Sequence, residues 1–147
     1  MRLLIPLLLV ASLAFAGCVM QMPGGSVAVY PLDNKKTFEE AQKRYTVNIR
    51  FGMYEDALPF VEPELQPRFQ QAIRELRELR FSDYHIENIE IDSLRTEATA
   101  TVLYRGYWLS SPFEQEIRVV QRWRRVVPTN DWYVTPDFKR MLNPADG

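Results

Sequence analysis

One thiol and one imidazole, Cys18 and His85, are all that this chain offers for soft-metal or near-neutral proton chemistry. A metal centre would have to complete its ligand set from carboxylates, and neither H-E-x-x-H nor D-x-D spacing occurs. Nucleophilic catalysis has equally little to work with. Ser110 and Ser111 sit beside Pro112 in a turn signature, without a G-x-S-x-G context or a second histidine. No catalytic residue, metal or cofactor is therefore expected. What remains is the chemistry of Cys18 and a set of polar residues, Gln115, Gln121 and Arg125, that interrupt an otherwise apolar alternation.

Cys18 is positioned by what precedes it. Arg2 is followed by an apolar run, Leu3 to Phe15, and then by Ala16-Gly17-Cys18. Such a run falls short of the ~20 residues that span a bilayer as a helix, and Pro6 interrupts it. It has the length of a secretory signal's apolar region. A simple secretory cleavage site needs small residues at −3 and −1, and Phe15 is bulky. Phe15-Ala16-Gly17-Cys18 resembles instead the lipobox of bacterial lipoproteins, with Phe where Leu is usual. An uncleaved anchor and a plain secreted protein are the alternatives. The resemblance implies cleavage before Cys18, a thioether-linked diacylglycerol and an N-acyl group. Two or three acyl chains, at ~0.8 kcal/mol per buried methylene, hold a protein on a membrane where one chain is marginal. It also accounts for an odd cysteine in an exported chain. With Val19 rather than Asp after the cysteine, the implied address is the cell envelope, on the outer membrane facing the periplasm.

Beyond residues 1–17 the chain has 130 residues, the size of one domain. That part carries 17 Lys and Arg against 19 Asp and Glu, a balance that excludes the strongly basic signature of a nucleic-acid binder. With 46% hydrophobic and 12% aromatic residues, the chain can fill a core. Residues 18–36 contain Pro23-Gly24-Gly25 and Pro31 and read as a flexible tether, with Val27 to Tyr30 a short strand at most.

Residues 37–138 carry the periodic patterns, and 139–147 read as a tail. Thr37-Phe38-Glu39-Glu40 fits a capping box, opening a helix to about Met53 with Phe38, Ala41, Tyr45, Ile49 and Gly52 on one face. A shorter helical piece, Tyr54 to Val61, is interrupted by prolines. Pro67 begins an amphipathic helix to about Arg80 through Phe69, Ala72, Ile73, Leu76 and Leu79. From Ser82 the period becomes two. Tyr84 and Ile86 share one parity and Ile89 and Ile91 the other, a phase slip that predicts a β-bulge. A second strand, Glu97 to Trp108, sets Ala98, Ala100, Val102, Tyr104, Gly106 and Trp108 on one side. A third, Phe113 to Val127, alternates Phe113, Ile117, Val119, Trp123 and Val127 with Glu114, Glu116, Arg118, Arg122 and Arg124. A short fourth runs from Asp131 to Thr135, after a turn at Pro128-Thr129-Asn130.

Helices followed by about four antiparallel strands predict an α+β fold, with N-terminal helices packed on a strongly curved sheet. The bulged first strand, and Arg122-Trp123-Arg124-Arg125-Val126 turning into Asp131-Trp132-Tyr133-Val134, resemble the cone-like nuclear transport factor two-like superfamily over residues 37–135. Enzymes of that fold place Asp, His or Tyr inside the cone. No motif here matches theirs residue by residue, and His85 has rim parity.

Two binding surfaces follow. If the apolar parity lines an open interior, Tyr104, Trp108, Gln121, Trp123 and Arg125 form a small apolar-ligand or lipid pocket. On the opposite parity, Arg118, Arg122, Arg124 and Tyr107, interleaved with Leu103, Val120 and Val126, form a face suited to an envelope protein partner or a second copy. The expected activity is that of a non-catalytic protein-binding or scaffolding domain on a lipid anchor. The ligand-binding module is the alternative, and an isomerase or cyclase-like enzyme comes last.

Overall fold

The computed structural model describes residues 34–127 and 129–142; the signal region, Cys18, the Val27–Tyr30 segment and Pro128 lie outside them. The order is α1 (Asn34–Arg50), α2 (Tyr54–Ala57), two 3-10 turns (Leu58–Phe60 and Pro63–Leu65), α3 (Gln66–Leu76), β1 (Leu79–Ile91), β2 (Glu97–Trp108), β3 (Ser111–Val126), β4 (Asp131–Thr135) and α4 (Phe138–Leu142). The four strands form one open antiparallel sheet in chain order. The α+β expectation is met.

Helix α1 differs from its predicted bounds at both ends. It begins at Asn34, inside the expected tether, so Thr37 lies within the helix rather than capping it. There its hydroxyl accepts from Trp132 Nε1 at 3.3 Å. At the other end Gly52 adopts φ +70, with Gly52 N bonded to Ile49 O at 3.1 Å and Met53 N to Asn48 O at 2.8 Å. That is a Schellman ending, in which a glycine takes the left-handed position at no steric cost. Gly52 therefore stops the helix and is exposed, where the periodicity had counted it into the apolar face.

Helix α3 buries Phe69, Ala72, Ile73 and Leu76, but ends at Leu76. Leu79, which fits a 3.6 period after Leu76, also fits a period of two with Phe81. The sheet claims both, since Leu79 pairs with Trp108 and Phe81 with Gly106. Gly106 is needed here, because a Cβ on it would stand 2.5 Å from the carbonyl oxygen of Arg80. Strand β1 slips register twice, between Phe81 and Asp83 and between Ile86 and Asn88. The second is the predicted bulge. It directs Glu87 as well as Asn88 to the outer side and returns Ile89 to the inner one.

Strands β2 and β3 keep the predicted parity, with Ala98, Ala100, Val102 and Tyr104 buried against Ile117, Val119, Gln121 and Trp123. Phe113 does not follow it inward. It is 76% exposed. Ser111 belongs to β3, where it pairs with Trp108, rather than to the turn. The β4 edge is covered where Val61 bridges Val134 in parallel and Glu62 N bonds to Val134 O at 3.1 Å, which removes part of an open edge. The expected tail is helical in part, as α4 buries Met141 and sets Phe138 5.7 Å from the Phe69 ring.

The β1–β2 hairpin is closed by one carboxylate. Asp92 Oδ1 accepts from Thr96 N at 2.7 Å and Glu97 N at 2.8 Å, while Oδ2 accepts from Leu94 N at 3.2 Å and Thr96 Oγ1 at 3.1 Å. These bonds, led by that from Glu97, hold its pKa below the ordinary value. A lowered folded pKa contributes stability that is complete above the unfolded value of about 3.9 and fades as pH falls through the folded one. Asp92→Ala is accordingly expected to speed amide exchange of Thr96 and Glu97 roughly tenfold at neutral pH. The difference from the parent should shrink below pH ~4; equal exchange in both proteins at pH 7 refutes the assignment.

Candidate functional site

The inner face of the sheet is occupied by α1. Phe38, Gln42, Tyr45, Thr46 and Ile49 form the helix's buried stripe, and two of these five are polar. Gln42 and Thr46 meet Gln121 on β3. The Gln121 amide oxygen accepts from Gln42 Nε2 and from Trp123 Nε1, both at 3.3 Å. Its Nε2 donates to Thr46 Oγ1 at 3.0 Å and to the Tyr104 hydroxyl at 3.3 Å. Gln42 Nε2 also donates to Thr46 Oγ1 at 3.0 Å. Trp123 closes the other side, edge-on to Phe38 at 5.8 Å and to Tyr45 at 5.6 Å.

This corrects the pocket expected inside the cone. Tyr104 and Gln121 are each 1% exposed and Trp123 is 2% exposed, and they satisfy one another and α1 rather than facing an open space. Burial raises the pKa of both Tyr45 and Tyr104 well above the phenol range, so neither exchanges protons near neutrality. Trp108 and Arg125 do not join the cluster. Trp108 is half-buried at the far end of β2, paired with Leu79 and Ser111. Arg125 pairs with Trp132 near the β3–β4 turn and donates from Nη1 to Asn130 Oδ1 at 3.1 Å, while its Nε is buried with no partner among the described residues. Gln42 and Thr46 are what sequence reasoning missed. Their signal was position, since both fall within the stripe that begins at Phe38.

The outer sheet face carries charged residues of β3. From Glu114 to Arg124 every second residue of β3 is exposed except half-buried Val120. Arg118 donates Nε and Nη2 to the Glu87 carboxylate at 2.8 and 2.9 Å, a bidentate pair that crosses β2 over Leu103. That contact lowers the pKa of Glu87 and raises that of Arg118. Arg124 lies 3.5 Å from Glu62, and Arg105 3.9 Å from Glu116. Arg122, between Thr99 and Thr135, has no ion-pair partner among the described residues. Tyr107 stands opposite Arg80, and His85 is exposed on the outer side, opposite Leu103.

Among the described residues there is no cluster of His, Cys, Asp and Glu able to hold a metal ion. No helix among them is long and apolar enough to cross a membrane. No family model matches the chain, and no curated protein does. Its fold is similar to that of a SEC-C motif-containing protein from Rhodopseudomonas palustris. The TM-score is 0.54 at 12% identity, covering 66% of this chain and 73% of the other. The intermembrane space region of the chloroplast protein ARC6 matches at a TM-score of 0.41 and 12% identity, over 68% of this chain and 91% of that one, too distant to carry an argument.

Proposed function

We propose that this chain is a lipid-anchored envelope protein, attached through Cys18 to the outer membrane and facing the periplasm, whose domain binds protein and catalyses nothing. The observation that carries the binding role is the filled interior. With Tyr104, Gln121 and Trp123 closed against α1, recognition falls to surfaces, and the outer face of the sheet is exposed along β3. The anchor is supported by the lone cysteine and by the apolar run and small residues before it. The cone-like curvature is supported by the two bulges in β1, which bend a strand. The nuclear transport factor two-like resemblance rests on the order of elements.

The charges of the outer face favour a second copy of this chain, or an envelope protein with the same pattern. The β1 side carries Asp83, Glu87 and Glu90, and the β3 side Arg118, Arg122 and Arg124. Glu90 and Arg122 both pair with Thr99, one on each side of β2. A two-fold axis along β2 brings Glu90 of one copy opposite Arg122 of the other and buries Leu103 and Val120 between them. A photocrosslinking residue at Val120, in the full chain in its native envelope, is expected to yield one discrete adduct. Arg122→Glu with Arg124→Glu should abolish it without altering thermal unfolding. Absence of any adduct in the parent removes the outer face as the interface, and an adduct that survives both charge reversals removes its charges as the basis of recognition. For the anchor, a palmitate analogue should label the parent, while Cys18→Ser should lose the label and appear in the soluble fraction; a labelled Cys18→Ser protein overturns it.

A further inference from the structure

A cleft of about 470 Å³ opens where the C-terminal end of α1, α2 and the start of β1 converge. Three arginines line it: Arg50, the last residue of α1; Arg77, just after α3; and Arg80, the second residue of β1. No sequence pattern points to this convergence, because the three come from separate elements joined only by tertiary packing.

Their existing partners orient these groups and neutralise only one of them. Arg50 Nη2 donates to the carbonyl of Ser82, and Arg80 Nη1 to the carbonyls of Arg77 and Leu79. Only Arg77 faces a carboxylate, Glu55, at 2.5 Å. Each guanidinium has five N–H donors, so most of the donors in the cleft are unspent and two of its three positive charges lack a counter-charge among the described residues. Both Arg77 and Arg80 act on the Tyr54 phenol. Burial pushes its pKa up to about 12, and the two cations oppose that rise. The remaining wall is apolar. The Arg50 guanidinium lies 4.4 Å from the centre of the Phe51 ring, itself 63% exposed, and Phe81 lines the cleft as well.

We propose that this cleft is an oxyanion site that takes a phosphate group, either free or as the head group of an amphiphile resting against Phe51. Three arginines, each with a planar fork of donors, suit the several acceptor oxygens of a tetrahedral phosphate better than the two of a carboxylate. The exposed aromatic ring beside them gives an attached apolar portion a surface to lie on. Arg80 stands opposite Tyr107, at the end of the outer face, but the site uses none of Arg118, Arg122 and Arg124 and does not depend on lipidation of Cys18.

The test follows the arginine Nε–Hε and Gly52 amide resonances of the full chain in neutral detergent micelles. It is titrated in turn with inorganic phosphate and with phosphatidylglycerol, against sodium chloride and phosphatidylcholine at matched concentration. Saturable shifts confined to Arg50, Arg77, Arg80 and Gly52 are expected. Saturation by inorganic phosphate identifies the free ion as sufficient, while saturation by phosphatidylglycerol alone identifies the head group; either supports the site. Arg80→Gln should weaken binding at least tenfold, and Arg68→Gln, on α3 outside the cleft, should leave it unchanged. Arg77→Gln repeats the loss without touching the carbonyl contacts of Arg50 or Arg80. No saturable shift with either probe, equal shifts at Arg118 and Arg122, or undiminished binding in both cleft variants overturns the proposal.

Discussion

Trp123→Ala is expected to destabilise the domain by about 3–5 kcal/mol, the range for emptying a large aromatic site in a packed core. The indole is 2% exposed and fills the space between Phe38 and Tyr45 of α1, meeting both rings edge-on. Its removal takes away dispersion contacts and leaves a void that α1 cannot close without leaving Trp132, whose ring lies 5.1 Å from Phe38. A domain of this size has ~5–15 kcal/mol of stability in all, so the variant should lose about ten degrees or more of Tm. Thermal unfolding followed by circular dichroism measures this. A Tm within two or three degrees of the parent, about what 0.5 kcal/mol produces, would show that the indole lies at the surface of an open cone.

Gln121→Leu tests the same core from its polar side. The substitution is nearly isosteric and more apolar, so simple burial predicts a neutral or stabilising effect. The hydrogen bonds predict the reverse. Gln121 is the described acceptor for Trp123 Nε1 and donates to the hydroxyls of Tyr104 and Thr46. Leucine strands the indole N–H and takes a donor from the buried phenol, at about 1–3 kcal/mol for each buried group left without a partner. A net loss of about 2–4 kcal/mol is expected from the denaturation midpoint. Adding Gln42→Leu should cost less than the sum of the two single changes, because both remove the contact between Gln42 and Gln121. Strict additivity, or a stabilised Gln121→Leu protein, refutes the network.

The closed interior also explains why the two expected surfaces fared differently. Parity along β3 located the outer face directly, because a strand's alternation is local and the charged residues declared themselves as exposed. Parity equally placed Gln121 and Trp123 on the inner side. Whether that side was a pocket or a core depended on what covered it. The covering stripe on α1 contains Gln42 and Thr46, whose polarity made them look like the solvent side of an amphipathic helix. Each is tolerable in the core only because Gln121 lies opposite, 79 and 75 residues away in sequence. Arg125 shows the converse. Its parity matched Gln121, yet it sits near the β3–β4 turn beside Asn130, where no ligand wall forms.

What the sequence by itself determined is whatever a short window encodes. The strands and their inward residues, the bulge at Glu87, the proline start of α3 and the α+β class are properties of period and turn chemistry. The apolar run from Leu3 to Phe15, with the Ala16-Gly17-Cys18 that follows it, is equally a window property, and it carries the proposed anchor. Helix and strand limits were less legible, because Leu79 satisfied both periods until the pairing with Trp108 decided it. Only the tertiary structure decided that the interior is filled, that Arg122 has no ion-pair partner among the described residues, and that Arg50, Arg77 and Arg80 share one cleft. The physical reason is the same in each case. A buried polar group or an unneutralised charge is defined by its neighbours in space, and those neighbours come from elements far apart in the chain.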